Sequence, residues 1–155
     1  MAKLTLTPRI DLHATDPGAY APMMALEKYV HAGTLGEALI GLVKLRASQI
    51  NGCAFCLNMH GEEARKAGVD EQRIAVLSAW REAPDIYSER EQAAIAFTEE
   101  VTNIGAHGVS DDTWARVRAA FKDKEIAQLL MCIIAINGWN RMAIATHLPL
   151  PGSKG

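Results

Sequence analysis

Apolar residues recur along this chain at three- and four-residue steps, and start and stop signals cut that rhythm into segments of helical length. Asp16 before Pro17 is a cap followed by proline at the first helical position, and Gly33 is a stop, which predicts a helix over 17–32. Thr34-Leu35-Gly36-Glu37 reads as a capping box opening a second helix that runs to Asn51-Gly52. Its apolar positions Leu35, Leu39, Leu42 and Val43, with Ile40, Ala47 and Ile50 on other faces, predict burial on most sides. A third helix begins around Gly52-Cys53 and stops at Gly68, and Asp70 caps a fourth in which Ile74, Leu77 and Trp80 fall three apart before Pro84 ends it. Ser88-Glu89-Arg90-Glu91 is another capping box, for a fifth helix striped by Ala94, Phe97 and Val101. Gly105-Ala106-His107-Gly108 reads as a flexible connection, and Ser110 caps a sixth helix with Trp114, Val117 and Phe121 on one face. Asp123 introduces the last and most apolar helix, roughly 124–147, ahead of Pro149, Pro151 and Gly152.

Period-2 alternation occurs only in Lys3 to Thr7, and a lone strand has nothing to pair with. The pattern therefore predicts an all-α fold of about seven helices in one domain over 1–155, with an extended arm over 1–15 and a tail over 148–155. A segment as apolar as 126–136 must be covered on all sides, by the rest of the domain or by another subunit, so an oligomer is expected.

Composition narrows the setting. A chain of 155 residues with 49% hydrophobic and 22% charged residues can bury a core without staples and is unlike disordered sequence. A net charge of -2 argues against a nucleic-acid partner. Three cysteines do not make a secreted disulfide framework, and the tight spacing of two of them suits redox or metal chemistry in a reducing compartment. The start of the chain has no apolar signal-like stretch, and the longest wholly apolar run, Leu129 to Ile136, is far shorter than the ~20 residues of a membrane span. A cytoplasmic protein without membrane attachment is expected.

The chemistry concentrates in Cys53-Ala54-Phe55-Cys56-Leu57-Asn58-Met59-His60. On a helix, positions 53, 56 and 60 share a stripe roughly 60° wide, so both sulfurs and the imidazole face one way. The segment opens a helix, where unpaired N–H groups and the macrodipole favour thiolate over thiol, and His60 is placed to take or return a proton. A zinc site would need a fourth ligand brought from Cys132, His31, His107 or His147, and a c-type haem is excluded because Leu57, not histidine, follows Cys56. Inert packing of two small hydrophobes and a reversible dithiol both fit the spacing, and the shared stripe favours the dithiol. Cys132, inside Leu129-Leu130-Met131-Cys132-Ile133-Ile134, reads as core. His31 and His147 read as surface groups near helix ends, and His107 as a solvated loop residue. Asn137, Trp139, Asn140 and Arg141 read as subunit contacts or as support for the second helix.

Arg46-Ala47-Ser48-Gln49-Ile50-Asn51-Gly52-Cys53-Ala54-Phe55-Cys56 with His60, then Leu77-Ser78-Ala79-Trp80-Arg81-Glu82-Ala83-Pro84, then Ile136-Asn137-Gly138-Trp139-Asn140-Arg141, together resemble the AhpD-like alkylhydroperoxidase branch of the carboxymuconolactone decarboxylase family. That resemblance implies an all-helical subunit in a trimer or hexamer, with peroxidase or disulfide-reductase activity carried by Cys53 and Cys56 and a lipoyl-bearing protein as the dithiol reductant. It also argues against lactone decarboxylation, because the branch that names the family generally lacks the cysteine pair. The family pattern has a glutamate twelve residues before the first cysteine, in a proton relay with the histidine, and Gly41 stands there instead. Glu37, one turn earlier on the same face, could extend into the space left by Gly41; its other reading is the partner of Thr34 in the capping box.

The expected activity is reduction of organic hydroperoxides through a Cys53/Cys56 dithiol–disulfide cycle assisted by His60 and Glu37, with no cofactor and no metal. Cys56 is taken as the attacking residue, because His60 lies at i+4, and Cys53 as the resolving one. A general thiol–disulfide oxidoreductase and a non-enzymatic redox-sensing assembly protein are the alternatives.

Overall fold

The computed structural model describes residues 6–152, and those residues form nine α-helices with no strand. They are α1 (Leu12–Thr15), α2 (Pro17–His31), α3 (Glu37–Asn51), α4 (Ala54–Lys66), α5 (Glu71–Val76), α6 (Glu89–Thr102), α7 (Ile104–His107), α8 (Asp111–Ala120) and α9 (Asp123–Thr146). The all-α expectation holds. Of the alternating segment Lys3 to Thr7, residues 3–5 lie outside the described residues, while Leu6 and Thr7 are exposed and non-helical.

α3 is the axis of the fold, packed by α4, α6 and α9, and is buried along most of its length from Leu39 to Ser48. This matches the apolar residues spread around its circumference. One core gathers Val30, Leu39, Val43, Phe97, Val117, Leu129 and Ile133, and a second gathers Leu42, Leu45, Leu77, Trp80 and Ile95. α3 and α4 touch most closely at Gly41, where an added Cβ would lie 3.0 Å from Ala64 Cβ and 3.2 Å from Ala64 Cα. The glycine is a packing device between two helices.

By length and composition α9 is the one helix among the described residues that could cross a membrane. Its Leu129, Cys132, Ile133 and Ile136 are fully buried among the other helices, while Ile134 and Ile144 are exposed.

Several boundaries differ from those the sequence suggests, each for a local reason. α3 is capped by Gly36 at φ 86°, with no side-chain cap, so the Thr34 capping box does not form and Glu37 is the first helical residue. Thr34 instead donates its N–H to Gln128 Oε1, and Gln128 Nε2 donates to Val30 O, so a buried glutamine on α9 ties down the α2–α3 turn. Beyond Val76 the chain tightens into a 3-10 segment over Leu77–Glu82. Strict three-residue spacing is the period of a 3-10 helix, which stacks Leu77 and Trp80 on the buried side. Ile104–His107, read as a flexible connection, is a helical turn. α9 starts at Asp123 with Lys122 as cap and ends at His147, which takes a left-handed conformation at φ 55°. Trp114 is half-exposed, its ring 6.0 Å from that of Phe97, while Val117 and Phe121 of the same stripe are buried. Within the expected extended arm Leu12–Thr15 is helical, and Arg9 ties the arm to the end of α9, its N–H donating to Thr146 O at 2.9 Å and its Nη1 to Ala145 O at 3.0 Å.

Candidate active site

The reactive pair sits where α3 hands over to α4. Gly52 ends α3 in the left-handed region (φ 69°, ψ 35°), which a side chain would resist, and this reversal places Cys53 as the N-cap of α4. Its sulfur does the work usually given to a serine or aspartate oxygen: Sγ of Cys53 accepts the backbone N–H of Cys56 at 3.3 Å. Cys53 and Cys56 are paired as a disulfide with a Cα–Cα distance of 5.4 Å. Cys53 is therefore a cap and not a helical member of the expected stripe, yet the cap bends it back over the first turn, so the two sulfurs meet.

The end of α3 is braced from behind by a polar network on α9. Asn51 Nδ2 donates to Asn137 Oδ1 at 3.0 Å and Asn140 Oδ1 at 2.8 Å, and Asn140 Nδ2 donates to Ser48 Oγ at 3.0 Å. Arg141 Nη1 in turn donates to Asn137 O at 3.0 Å. Asn137, Asn140 and Arg141 support the second long helix; Trp139 has a different task, described below.

A cavity of ≈580 Å³ opens in front of Cys56 and His60. Cys53 is no part of its wall and packs behind, in a cluster with Ala47, Ile136 and Ala143. His60 is buried, its Nδ1 lies 2.7 Å from Glu63 Oε2, and its Nε2 has no hydrogen-bond partner. The hydrogen bond with His60 is the main reason the Glu63 carboxyl is held below its ordinary range, against some opposition from burial. An ionised Glu63 accepts the Nδ1–H and so leaves the Nε2 lone pair of a neutral imidazole free to act as a base.

On the same cavity wall lies a second polar cluster that joins α2, α3 and α9. Lys44, almost fully buried, donates from Nζ to Glu27 Oε2 at 2.5 Å and lies 3.2 Å from His31 Nε2. Trp139 Nε1 donates to Glu27 Oε1 at 2.8 Å. His31 is thus a wall residue and not the plain surface histidine its place at a helix end suggested. Glu37 is brought to His31, both carboxylate oxygens lying 2.9 Å from its Nδ1, and it lines neither the cavity nor the sulfur pair. Of the four residues singled out by sequence, the structure gathers Cys53, Cys56 and His60 and sets Glu37 apart.

Glu63, Lys44 and Glu27 were missed. Glu63 had a readable signal, three residues after His60 on the same helix face. Lys44 showed only as a lone cation in an apolar helix, and nothing in the spacing linked it to Glu27. The remaining histidines stay at the edge: His107 is exposed, and His147 Nδ1 meets Thr7 O at 3.1 Å. Cys132 lies in the core, and burial pushes its thiol up to about 12. Among the described residues no group of three or more His, Cys, Asp or Glu side chains is arranged to hold a metal ion.

Fold and site together define an AhpD-like helical protein with a two-cysteine centre. The chain belongs to the carboxymuconolactone decarboxylase family, whose sequence profile matches residues 17–100. It is 39% identical over 140 residues to the uncharacterised protein YdfG of Bacillus subtilis, covering 90% of this chain and 95% of that one. The crystal structure of Atu0492 from Agrobacterium tumefaciens, a protein of unknown function suggested to be the antioxidant defence protein AhpD, is 43% identical with a TM-score of 0.90, covering 95% of this chain and all of that one. The debrominase Bmp8, solved as a cysteine-to-alanine variant with 2,3,4-tribromopyrrole, has the same fold (TM-score 0.79, covering 90% of this chain and 74% of that one) at 17% identity.

Proposed function

We propose that the protein is a hydroperoxide reductase working through Cys56, His60 and Cys53. The observation that carries this reading is the asymmetry of the pair: the cavity reaches Cys56 and the unpartnered Nε2 of His60, and Cys53 lies behind them. His60 Nε2 takes the Cys56 thiol proton, aided by the N-terminus of α4, which favours the thiolate. The thiolate attacks the terminal oxygen of ROOH, the O–O bond breaks, and His60 returns the proton to the departing alkoxide, giving ROH and Cys56 sulfenic acid. The Cys53 sulfur then attacks Cys56 Sγ, water leaves and the disulfide closes. An external dithiol resets the pair by attacking Cys56 Sγ, the sulfur at the cavity, and leaves oxidised as its own disulfide. Glu63, and not Glu37, holds the imidazole in the required tautomer.

The reductant in this scheme is a dithiol such as a lipoyl group on a protein, and the working form is a homo-oligomer, a trimer or hexamer, in the cytoplasm. Exposed Ile134 and Ile144 on the outer side of α9 support the subunit contact.

The test is stoichiometric. Reduced protein mixed anaerobically with one equivalent of cumene hydroperoxide should lose two thiols per chain and release one equivalent of alcohol. Loss of thiols only when a disulfide substrate is supplied would identify a thiol–disulfide oxidoreductase, and no loss with either would leave the pair a structural element.

A further inference from the structure

The cavity in front of Cys56 combines an apolar surface with an unbalanced set of charges. Ile10, Leu12, Met24, Phe55, Met59 and Met142 supply most of the apolar wall. The ionisable groups come from every side: Asp11 and His13 from the N-terminal arm, Glu27 and His31 from α2, Lys44 from α3, and His60 and Glu63 from α4. Three carboxylates therefore face one ammonium, and that ammonium is already engaged by Glu27. Glu37, on the outer nitrogen of His31, adds a further carboxylate just outside. With the histidines neutral, two negative charges are left over in a space whose walls exclude much of the water that would screen them. The α4 N-terminus opposes this only within its first turn, where it acts on the sulfur itself.

We infer that this cavity selects uncharged apolar substrates and rejects those carrying a carboxylate or sulfonate, so that the carboxylate-bearing members of both the hydroperoxide and the dithiol classes are disfavoured. The inference deepens the peroxidase reading and rests on it for the identity of the substrates, but the charge selection itself is a property of access to Cys56. A single excess charge at about 8 Å, in an effective dielectric of about 20, changes the encounter of a unit charge by more than tenfold. Two such charges, partly screened at the cavity mouth, should discriminate at least tenfold.

The test uses thiol probes of matched shape and different charge, so it does not depend on peroxide chemistry. In the Cys53→Ser variant, whose serine keeps an N-cap acceptor, Cys56 is the thiol at the cavity, because Cys132 is fully buried. Rates of labelling at pH 8 are measured with iodoacetamide and iodoacetate, and with neutral, cationic and anionic methanethiosulfonates, each divided by the rate with glutathione. The expected result is a preference of tenfold or more for iodoacetamide over iodoacetate and for the cationic over the anionic methanethiosulfonate. Asp11→Asn, which removes one cavity charge and keeps a good cap for α1, should narrow both ratios two- to fivefold. Equal normalised rates for neutral and anionic probes, or ratios unmoved by Asp11→Asn, would overturn the inference even if cumene hydroperoxide is turned over. Charge selection without any hydroperoxide turnover would instead sink the peroxidase reading and leave the selection standing.

Discussion

Replacing Gly41 with alanine adds one methyl group at the closest approach of α3 to α4, and the structure fixes the sign of the effect. The new Cβ would lie 3.0 Å from Ala64 Cβ and 3.2 Å from Ala64 Cα, against an ordinary carbon–carbon contact of about 3.5–4.0 Å. The second of these neighbours is helix backbone, which cannot rotate aside, so α4 must move out by roughly half an ångström or more. Helix propensity favours alanine by about 1 kcal/mol, while overpacking a tight contact costs about 1–3 kcal/mol. The net expectation is a loss of about 1 kcal/mol, or a fall in Tm of about 2–4 °C for a chain of this size. Gly41→Glu, which would recreate the family's glutamate, should be worse still, since the longer side chain starts from the same blocked Cβ. This reverses the expectation that the position is open and waiting for a carboxylate. Thermal and urea unfolding of Gly41→Ala, Ala64→Gly and the double variant supply the assay. The two changes should be coupled by about 1 kcal/mol or more in the double-mutant cycle, because Ala64→Gly removes the atom that the new methyl meets. If Gly41→Ala is as stable as the parent, or the two effects simply add, the close-approach argument is wrong.

Cys53→Ser and Cys56→Ser should each abolish turnover, and only Cys53→Ser should yield a dimedone-trappable sulfenic acid; an adduct from Cys56→Ser alone would reverse the assignment of the two sulfurs. Glu63→Gln should slow the hydroperoxide reaction of Cys56 by tenfold or more at neutral pH while leaving the fold intact, and Glu37→Gln should leave that rate within twofold of the parent, both read by stopped-flow fluorescence. Because the folded-state pKa of Glu63 is depressed, its ion pair with His60 contributes fully above the ordinary carboxyl range and is lost as pH falls through that depressed value, so any gain in stability from Glu63 over Gln should vanish in acid. With its thiol pushed up to about 12 by burial, Cys132 should escape a thiol reagent at pH 8 until the protein is denatured, and Cys132→Ser should retain turnover.

The sequence alone carried the helical class, because amphipathic spacing and caps are local: Asp16, Asp70, Ser88 and Ser110 each cap the helix their position announces. It also carried the dithiol and its histidine, since residues 53, 56 and 60 lie within two turns of one another and need no tertiary contact to meet. Glu63 lay within the same reach and was open to the same argument.

The rest depended on which helices pack together. The pattern Thr34-Leu35-Gly36-Glu37 satisfies a capping box, but Gln128 arrives from 94 residues away, takes the Thr34 N–H, and leaves Gly36 to start α3. Glu37 then turns to His31 and away from the sulfurs. Gly41 looked like a vacancy in a one-dimensional pattern, and only the approach of Ala64 shows the space to be filled. Lys44, Glu27 and Trp139 come from three helices, and their meeting at the cavity is set by how α2 and α9 lie against α3. Which sulfur faces the cavity was likewise decided by packing: both are buried to the same degree, and the placement of Cys53 against Ala47, Ile136 and Ala143 leaves Cys56 toward the opening. Local spacing fixes what a helix can present, while burial and charge depend on neighbours that the chain brings in from far along its length.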